Sequence, residues 1–474
     1  MSKRKKDILI SFVGNNASDV AGSMILIETQ NIKILLECGI VQNAGNPLDD
    51  FKINNQAFPF KAKDLDYIFL NHSHADHSAL IPKLIHDGFT GKIITSEITA
   101  KLLKPMFLVS CKIIKNDAKI LSKNRKKEVY PFYNEEDVYN SLNLVYEYEY
   151  NKVYKLDKDV SFKFLHNSHI IGALQLELYI NNNLGVQQTI LYTSDLGSFK
   201  VKNHYVSNND KCTKASIVIS ECTYGKRTQE SAPNREKDLE KIKTIIQETC
   251  IDRSGRVLIP VFSLARSQEI LTNLYEIYKN DNSFKIPIYV NSPLILEINK
   301  IYSKYLDDKG KELFEQVCNW KNVHFISSLE ESKYNIKDKS PKIVLSSSGF
   351  LIKGRSCEYL KEYITNKNDT IVSVGYAPEH STFGKIKNNE PLIKIDGKNY
   401  KNNCKCMTLN SFSSHIPRHE LLSYLKSIYT DKYYLVHGEI EGKLEFKEDL
   451  ENELSKMCRS STVISTTKNT ICYL

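Results

Sequence analysis

Residues 71–77 read NHSHADH: three histidines and an aspartate fall within six positions, directly after the apolar run YIFL at 67–70. The apolar run reads as a buried strand. SALIPKLIHDGF at 78–89 then carries the helical spacing Leu80, Leu84, Ile85 and stops at Gly88. Strand, turn and helix hold the cluster in one frame, which a chance surface patch would not require. On a tight turn His72 and His74 converge on one ion, while Asp76 and His77 point toward a second. Imidazole suits zinc, at Zn–N distances of roughly 2.0–2.1 Å.

Upstream, SMILIET (23–29) and IKILLECG (32–39) pattern as paired strands joined at Gln30-Asn31. Downstream, SFKFLHNSH (161–169) and QTILYTSD (188–195) are strands that each end in a potential ligand. From about residue 215 the chain alternates strand and helix, as in ASIVISECT, REKDLEKIKTIIQETC, GRVLIPVF and LARSQEILTNLYEIY. This alternation predicts a parallel sheet covered by helices. Near the C-terminus DTIVSVGYA, CMTLNSFSSH and KYYLVHGE return to the strand-and-turn pattern of the N-terminal half, as a domain that begins, is interrupted and resumes would.

With 474 residues, 41% of them hydrophobic, the chain can build two or three domains with large cores. No run of eighteen apolar residues occurs, so no membrane-spanning helix is expected. The N-terminal MSKRKKDILISFVG is too briefly apolar for a secretory signal and reads as a solvated tail entering a first strand. Eleven scattered cysteines, of which only Cys404 and Cys406 stand close together, support neither a disulfide framework nor a zinc ribbon and fit a reducing cytoplasm. A net charge of +9 permits a polyanionic partner without requiring one. The run KNRKK at 123–127 is expected in an exposed loop.

Further candidates stand at strand ends: His169 in NSHIIGA, Asp195 in YTSDLG, Glu221 in SECTYG, His415 in SFSSHIP and His437 in YYLVHGE. Each is weak alone, because a lone histidine after a strand is more often structural. Taken in this order, the set resembles the metallo-β-lactamase-fold hydrolases that carry a β-CASP insertion. That group includes the pre-mRNA 3′-end-processing endonuclease, compact bacterial ribonucleases and ribonuclease J-type enzymes. HSHADH matches the family's second motif, His169 the third and Asp195 the fourth; Glu221, His415 and His437 match the three β-CASP motifs. YNEEDV (133–138), SPLILEINKIYSKY (292–305), SSSGFLIKGR (346–355) and GYAPEHSTFGK (375–385) are similar to segments of the family, and the resemblance runs from about residue 8 to 450.

The resemblance implies an α/β chain, a metallo-β-lactamase αββα sandwich in two pieces, 1–225 and 407–474, with a β-CASP domain inserted at 226–406. It implies two Zn2+ ions, with Mn2+ or Fe as alternatives: one on His72, His74 and His169, the other on Asp76, His77 and His437, and Asp195 bridging them. It implies two-metal hydrolysis of RNA phosphodiesters to 5′-phosphate and 3′-hydroxyl ends, with His415 as general acid and Glu221 orienting or tuning it. Histidine at the last motif, where DNA-repair members typically have valine, favours RNA, and the expected partner is single-stranded RNA. A DNA nuclease, a small-molecule phosphodiesterase and a non-catalytic RNA-binding subunit are the alternatives. A chain without the appended domains of ribonuclease J-type and archaeal relatives resembles the compact bacterial type, endonucleolytic rather than 5′-exonucleolytic. The family often forms homodimers.

Three residues depart from the family pattern. Glu37 in LLECG stands where aspartate is usual, so a carboxylate expected behind the ligands gains a methylene of reach, which a small backbone adjustment would absorb. Ser168 replaces the glycine before the third-motif histidine and offers a hydroxyl to substrate. Ile416-Pro417 follows His415 in place of a small residue and an acid or amide. For substrate binding, Ser347, Ser348 and Gly349 in SSSGF present backbone N–H groups to a phosphate or make an ordinary strand-to-loop turn. Arg355 contacts phosphate or an internal carboxylate, and Arg266 is expected in an internal ion pair.

Overall fold

The computed structural model describes residues 8–42, 47–182, 185–229, 234–351, 354–375 and 381–474. The basic N-terminal tail and parts of SSSGFLIKGR and GYAPEHSTFGK lie outside the described residues.

Two seven-stranded sheets face each other. The first runs Ile471–Tyr473, Leu9–Phe12, Ile25–Glu28, Lys33–Leu36, Tyr67–Phe69, Lys92–Thr95, Val145–Glu147. The second runs Thr462–Ser465, Lys432–Val436, Ile217–Glu221, Gln187–Tyr192, Leu174–Asn181, Val160–His166, Val153–Lys155. Burial alternates along Leu9–Phe12 and along the first half of Val160–His166, the signature of strands with one face inward. Ile10, Phe12, Ile25, Leu36 and Phe69 of the first sheet interlock with Phe162, Phe164, Leu176, Ile219 and Val436 of the second in one core. Helices Glu97–Arg125 and Glu135–Asn143 cover the outer face of the first sheet, and Arg418–Ser427 and Ile440–Lys456 that of the second. This is the expected αββα sandwich.

A third sheet runs Val323–Phe325, Ile288–Asn291, Lys342–Ser346, Arg256–Pro260, Thr370–Ser373, Lys405–Thr408, with every neighbouring pair parallel. Its central strands, Arg256–Pro260 and Lys342–Ser346, are buried at every position, because separate hydrophobic clusters pack on its two faces. Leu264 and Ala265, just beyond Arg256–Pro260, pack with Ile170, Ile171 and Ala173 and so tie this unit to the sandwich.

Three sequence expectations are corrected. The strands in DTIVSVGYA and CMTLNSFSSH belong to the third sheet, and the chain rejoins the sandwich sheets only at Lys432–Val436; a short apolar run does not reveal which sheet it enters. Lys123–Arg125 of KNRKK end the helix Glu97–Arg125, and Lys126 caps it in the left-handed conformation, so most of this exposed run is helical. The helical stretch after NHSHADH is split into Ala75–Ser78 and Ile81–His86. Among the described residues no helix is long and apolar enough to cross a membrane.

Candidate metal centre

Every candidate ligand leaves the C-terminal end of a sandwich strand. Residues 71–77 follow Tyr67–Phe69, His169 follows Val160–His166, Asp195 follows Gln187–Tyr192 and His437 follows Lys432–Val436. The structure brings all seven together. His72, His74, His169 and Asp195 form one group whose ligand atoms lie within 4.8 Å of one another; Asp76, His77 and His437 form a second. His74 Nδ1 lies 3.2 Å from His169 Nε2, and His77 Nε2 lies 3.3 Å from His437 Nε2. Asp195 Oδ2 stands 3.2 Å from His77 Nε2 and 3.7 Å from both His72 Nε2 and His169 Nε2, so the carboxylate spans the two groups.

These groups fit a metal on the chemistry of their donors. Ligands about 2.0–2.1 Å from a tetrahedral zinc stand roughly 3.3 Å apart, the spacing found here, whereas two imidazole lone pairs at that distance repel with nothing between them. Among the described residues His72 Nε2 and Asp195 Oδ1 are buried without a hydrogen-bond partner, a cost that a cation would remove. Burial drives the His72 and His169 imidazoles well below their usual pKa and His74 to about 4, which keeps them in the neutral form a metal requires. Burial opposes charge on His77 too, but Asp195 and Asp76 outweigh it and hold that imidazole well above its usual value. Burial would raise Asp195, yet His437 and His77 hold it well below the carboxylate range.

The residues behind the ligands fix their orientation. Glu37 Oε1 accepts from the Asn71 N–H (3.2 Å) and the Ser194 hydroxyl (3.1 Å), and it faces His77 Nδ1 at 3.8 Å. This leaves His77 Nε2 for the cluster. The Glu37 carboxylate stands behind the ligands, and the backbone is left-handed at three positions around it: Glu37, Ser194 and His437 adopt φ of 61°, 51° and 50°. Each such non-glycine position costs about 1–3 kcal/mol, held by its surroundings. Glu37→Ala should weaken metal affinity about 10- to 100-fold, measured by chelator competition, with Glu37→Asp intermediate. Thr223 Oγ1 pairs with His437 Nδ1 at 2.9 Å, which turns Nε2 toward the site. Thr223 and Ser194 were missed in the sequence, although each is within two positions of a motif carboxylate.

His415 Nδ1 lies 3.2 Å from Glu221 Oε2, as expected, and Glu221 also accepts the Leu196 N–H at 2.5 Å. Burial opposes the charged form of His415, but Glu221, then Asp195 and Asp76, outweigh it and raise its pKa, favouring the protonated state a proton donor needs. Its side chain is 21% exposed against 1% for His72, His77 and His169, so the site opens to solvent there. Ile416 explains the altered sequence after it: the side chain is buried and its N–H donates to Leu196 O at 2.7 Å. The Ser168 hydroxyl, expected to be offered to substrate, is buried and donates to Ser198 O at 2.8 Å.

A further set escaped the sequence because no spacing announces it. Arg235 Nη1 donates to Asn203 Oδ1 (3.0 Å), Asn203 Nδ2 to Ser414 Oγ (3.3 Å), and His169 Nδ1 pairs with Ser414 O (3.2 Å). The inserted unit thus reaches the His415 loop through Asn203. Ser347, Ser348, Gly349 and Arg355 gather at the C-terminal ends of the third sheet. The Ser347 hydroxyl is paired with Ser292 at 2.7 Å, and the Arg355 guanidinium donates to Asn291 Oδ1. Arg266 does not make the expected ion pair among the described residues. It lies against Gly375, beside Tyr224 and Arg235, with its Nε unpartnered there, and burial lowers its pKa to about 10. YNEEDV contributes a helix start on the first sheet's outer layer, its Asn134 closing a capping box with Asp137.

Residues 17–139 match the metallo-β-lactamase superfamily model, 267–386 the Beta-Casp domain, and 399–459 the Zn-dependent metallo-hydrolase RNA specificity domain. Transcription termination factor FttA of Methanocaldococcus jannaschii is 27% identical over 469 residues, 95% of this chain and 70% of that protein. Ribonuclease TTHA0252 of Thermus thermophilus is 28% identical, covering 90% of this chain and 93% of that protein. Integrator complex subunit 11 of Danio rerio is 25% identical, covering 95% and 72%. A solved protein of unknown function from Enterococcus faecalis shares the fold, with a TM-score of 0.53 and 12% identity over 99% of this chain and 100% of that one. The clustered ligands and the three matched domains agree: the chain belongs to the β-CASP family of metallo-β-lactamase-fold proteins and is a metal-dependent hydrolase.

Proposed function

We propose that the chain is a zinc-dependent ribonuclease that cuts single-stranded RNA endonucleolytically, leaving 5′-phosphate and 3′-hydroxyl ends. The observation that carries this reading is the joining of the ligand cluster to an acid–carboxylate pair: His415 and His437 both present nitrogens within 4.8 Å of Asp195, and His415 is held by Glu221. Zinc ions held by His72, His74, His169, Asp76, His77, His437 and the shared Asp195 would activate water and neutralise phosphate charge.

The remaining steps belong to the chain. Glu221 holds His415 through Nδ1, which leaves the other ring nitrogen to carry the proton given to the leaving 3′ oxygen. The turn at Ser347, Ser348 and Gly349, with Arg355 beside it, would receive a phosphate of the strand. The buried Arg266 would add positive charge near Tyr224, whose hydroxyl donates to Ser413 at 2.7 Å, two residues from His415. RNA as substrate is supported by the name of the Thermus thermophilus relative, by the matched RNA specificity domain and by the net charge of +9.

The test is to incubate a 5′-labelled single-stranded RNA and a matched DNA with the protein, with and without EDTA, and to map the ends. Internal cuts in RNA alone, abolished by EDTA and bearing 5′-phosphates, are expected. Cleavage of DNA alone would overturn the RNA assignment, and release of successive 5′ nucleotides would overturn the endonucleolytic mode.

A further inference from the structure

Phe262 sits just past the strand Arg256–Pro260 and is 41% exposed, although phenylalanine is among the side chains most often buried. Its ring makes an edge-to-face pair with Phe350, centroids 5.0 Å apart. Gly349 seats it: a Cβ there would come within 3.3 Å of Phe262 Cδ2 and Cε2, so a side chain at 349 would press on the ring. The backbone around the ring is pinned. Val261 N–H donates to Ser346 O (3.0 Å), and Ser267 N–H donates to Phe262 O (3.2 Å). The result is a rigid aromatic surface at the C-terminal ends of parallel strands, where α/β sheets place their ligands.

Its place relative to the chemistry follows from the packing. Leu264, two residues on, is buried against Ile170 and Ile171, next to His169. Two residues of extended chain reach at most about 7 Å. The aromatic pair therefore lies within a few nucleotides of the metal centre, beside Ser347, Ser348 and Arg355. Every base has a flat π-face, so an exposed ring next to phosphate-binding groups suits a single strand whose bases are free to unstack. We propose that Phe262, supported by Phe350, is a stacking platform for one unpaired nucleobase near the scissile phosphate. This rests on the RNA reading and adds a base subsite to it. The ring is already fixed, so binding loses little side-chain freedom.

The test is a cycle between protein and substrate. Wild-type protein, Phe262→Leu and Phe262→Trp are assayed on one RNA and on copies with a single abasic residue at each position around the cut. Phe262→Leu should raise KM roughly 5- to 150-fold with kcat nearly unchanged, and Phe262→Trp should restore it. One abasic position should cost the wild type the same factor and cost Phe262→Leu nothing further. Equal losses in wild type and Phe262→Leu at every abasic position, with RNA still cut, would overturn the platform alone. So would a Phe262→Leu variant that matches wild type or loses only kcat. A wild type that cuts no RNA would overturn the ribonuclease reading and the platform with it.

Discussion

His415→Ala should slow cleavage about 10²- to 10⁴-fold, the range of a lost general acid, while the bound metal stays unchanged. The expectation separates two roles that geometry brings close. His415 is near enough to Asp195 and His437 to be counted among ligating groups. Its Nδ1 is nevertheless committed to Glu221 at 3.2 Å, and its side chain is far more open to solvent than those of His72, His77 and His169. The other histidines of the cluster pair with one another and with Asp195. Metal analysis by mass spectrometry beside steady-state rates decides the matter. Loss of metal in this variant would make His415 a ligand, and an unchanged rate would remove it from the chemistry. Glu221→Gln should fall in the same direction by a smaller factor.

Gly39→Ala should lower stability by about 3 kcal/mol or more and empty the Asp76–His77–His437 group while sparing the other. A Cβ at 39 would lie 1.6 Å from Asp76 O and 2.4 Å from His77 N, both backbone atoms with nowhere to go. The segment is also laced in place: Cys38 N–H donates to His77 O at 2.8 Å and Ile40 N–H to Ala75 O at 3.1 Å. Accommodating the methyl group means lifting the turn that carries two ligands. Denaturant unfolding and metal stoichiometry on the same sample check it. A variant with wild-type stability and full metal content would contradict the close approach seen here.

The sequence announced the metal centre well, because its chemistry is local in part: HSHADH puts four of the seven ligands in six positions, and the others stand at strand ends with distinct neighbours. The parallel sheet was legible from strand–helix alternation, and the sandwich from the resemblance that the motifs carry. Partner choice among strands was not. Thr370–Ser373 and Lys405–Thr408 look like the strands of either unit, and only tertiary packing assigns them to the third sheet. The Ser168 hydroxyl and the Arg266 ion pair, which is not found among the described residues, were hard to read for a related reason. A hydroxyl or guanidinium in a motif-rich stretch looks functional or paired, but where it points depends on segments far away, such as Ser198 for Ser168 and Gly375 for Arg266. Arg235 and Asn203 carry no motif at all, and their link to Ser414 exists only once the inserted unit is docked.

The strand Ile217–Glu221 pairs directly with Lys432–Val436, and His77 meets His437 across 360 positions. During synthesis the first of these strands leaves the ribosome with a bare edge, open to wrong partners, and waits while the whole third sheet is made. Folding of the inserted unit shortens the span that must then close. A nascent chain halted before residue 437 has an incomplete ligand set, so the Asp76–His77–His437 group can close only after the whole third sheet has been made.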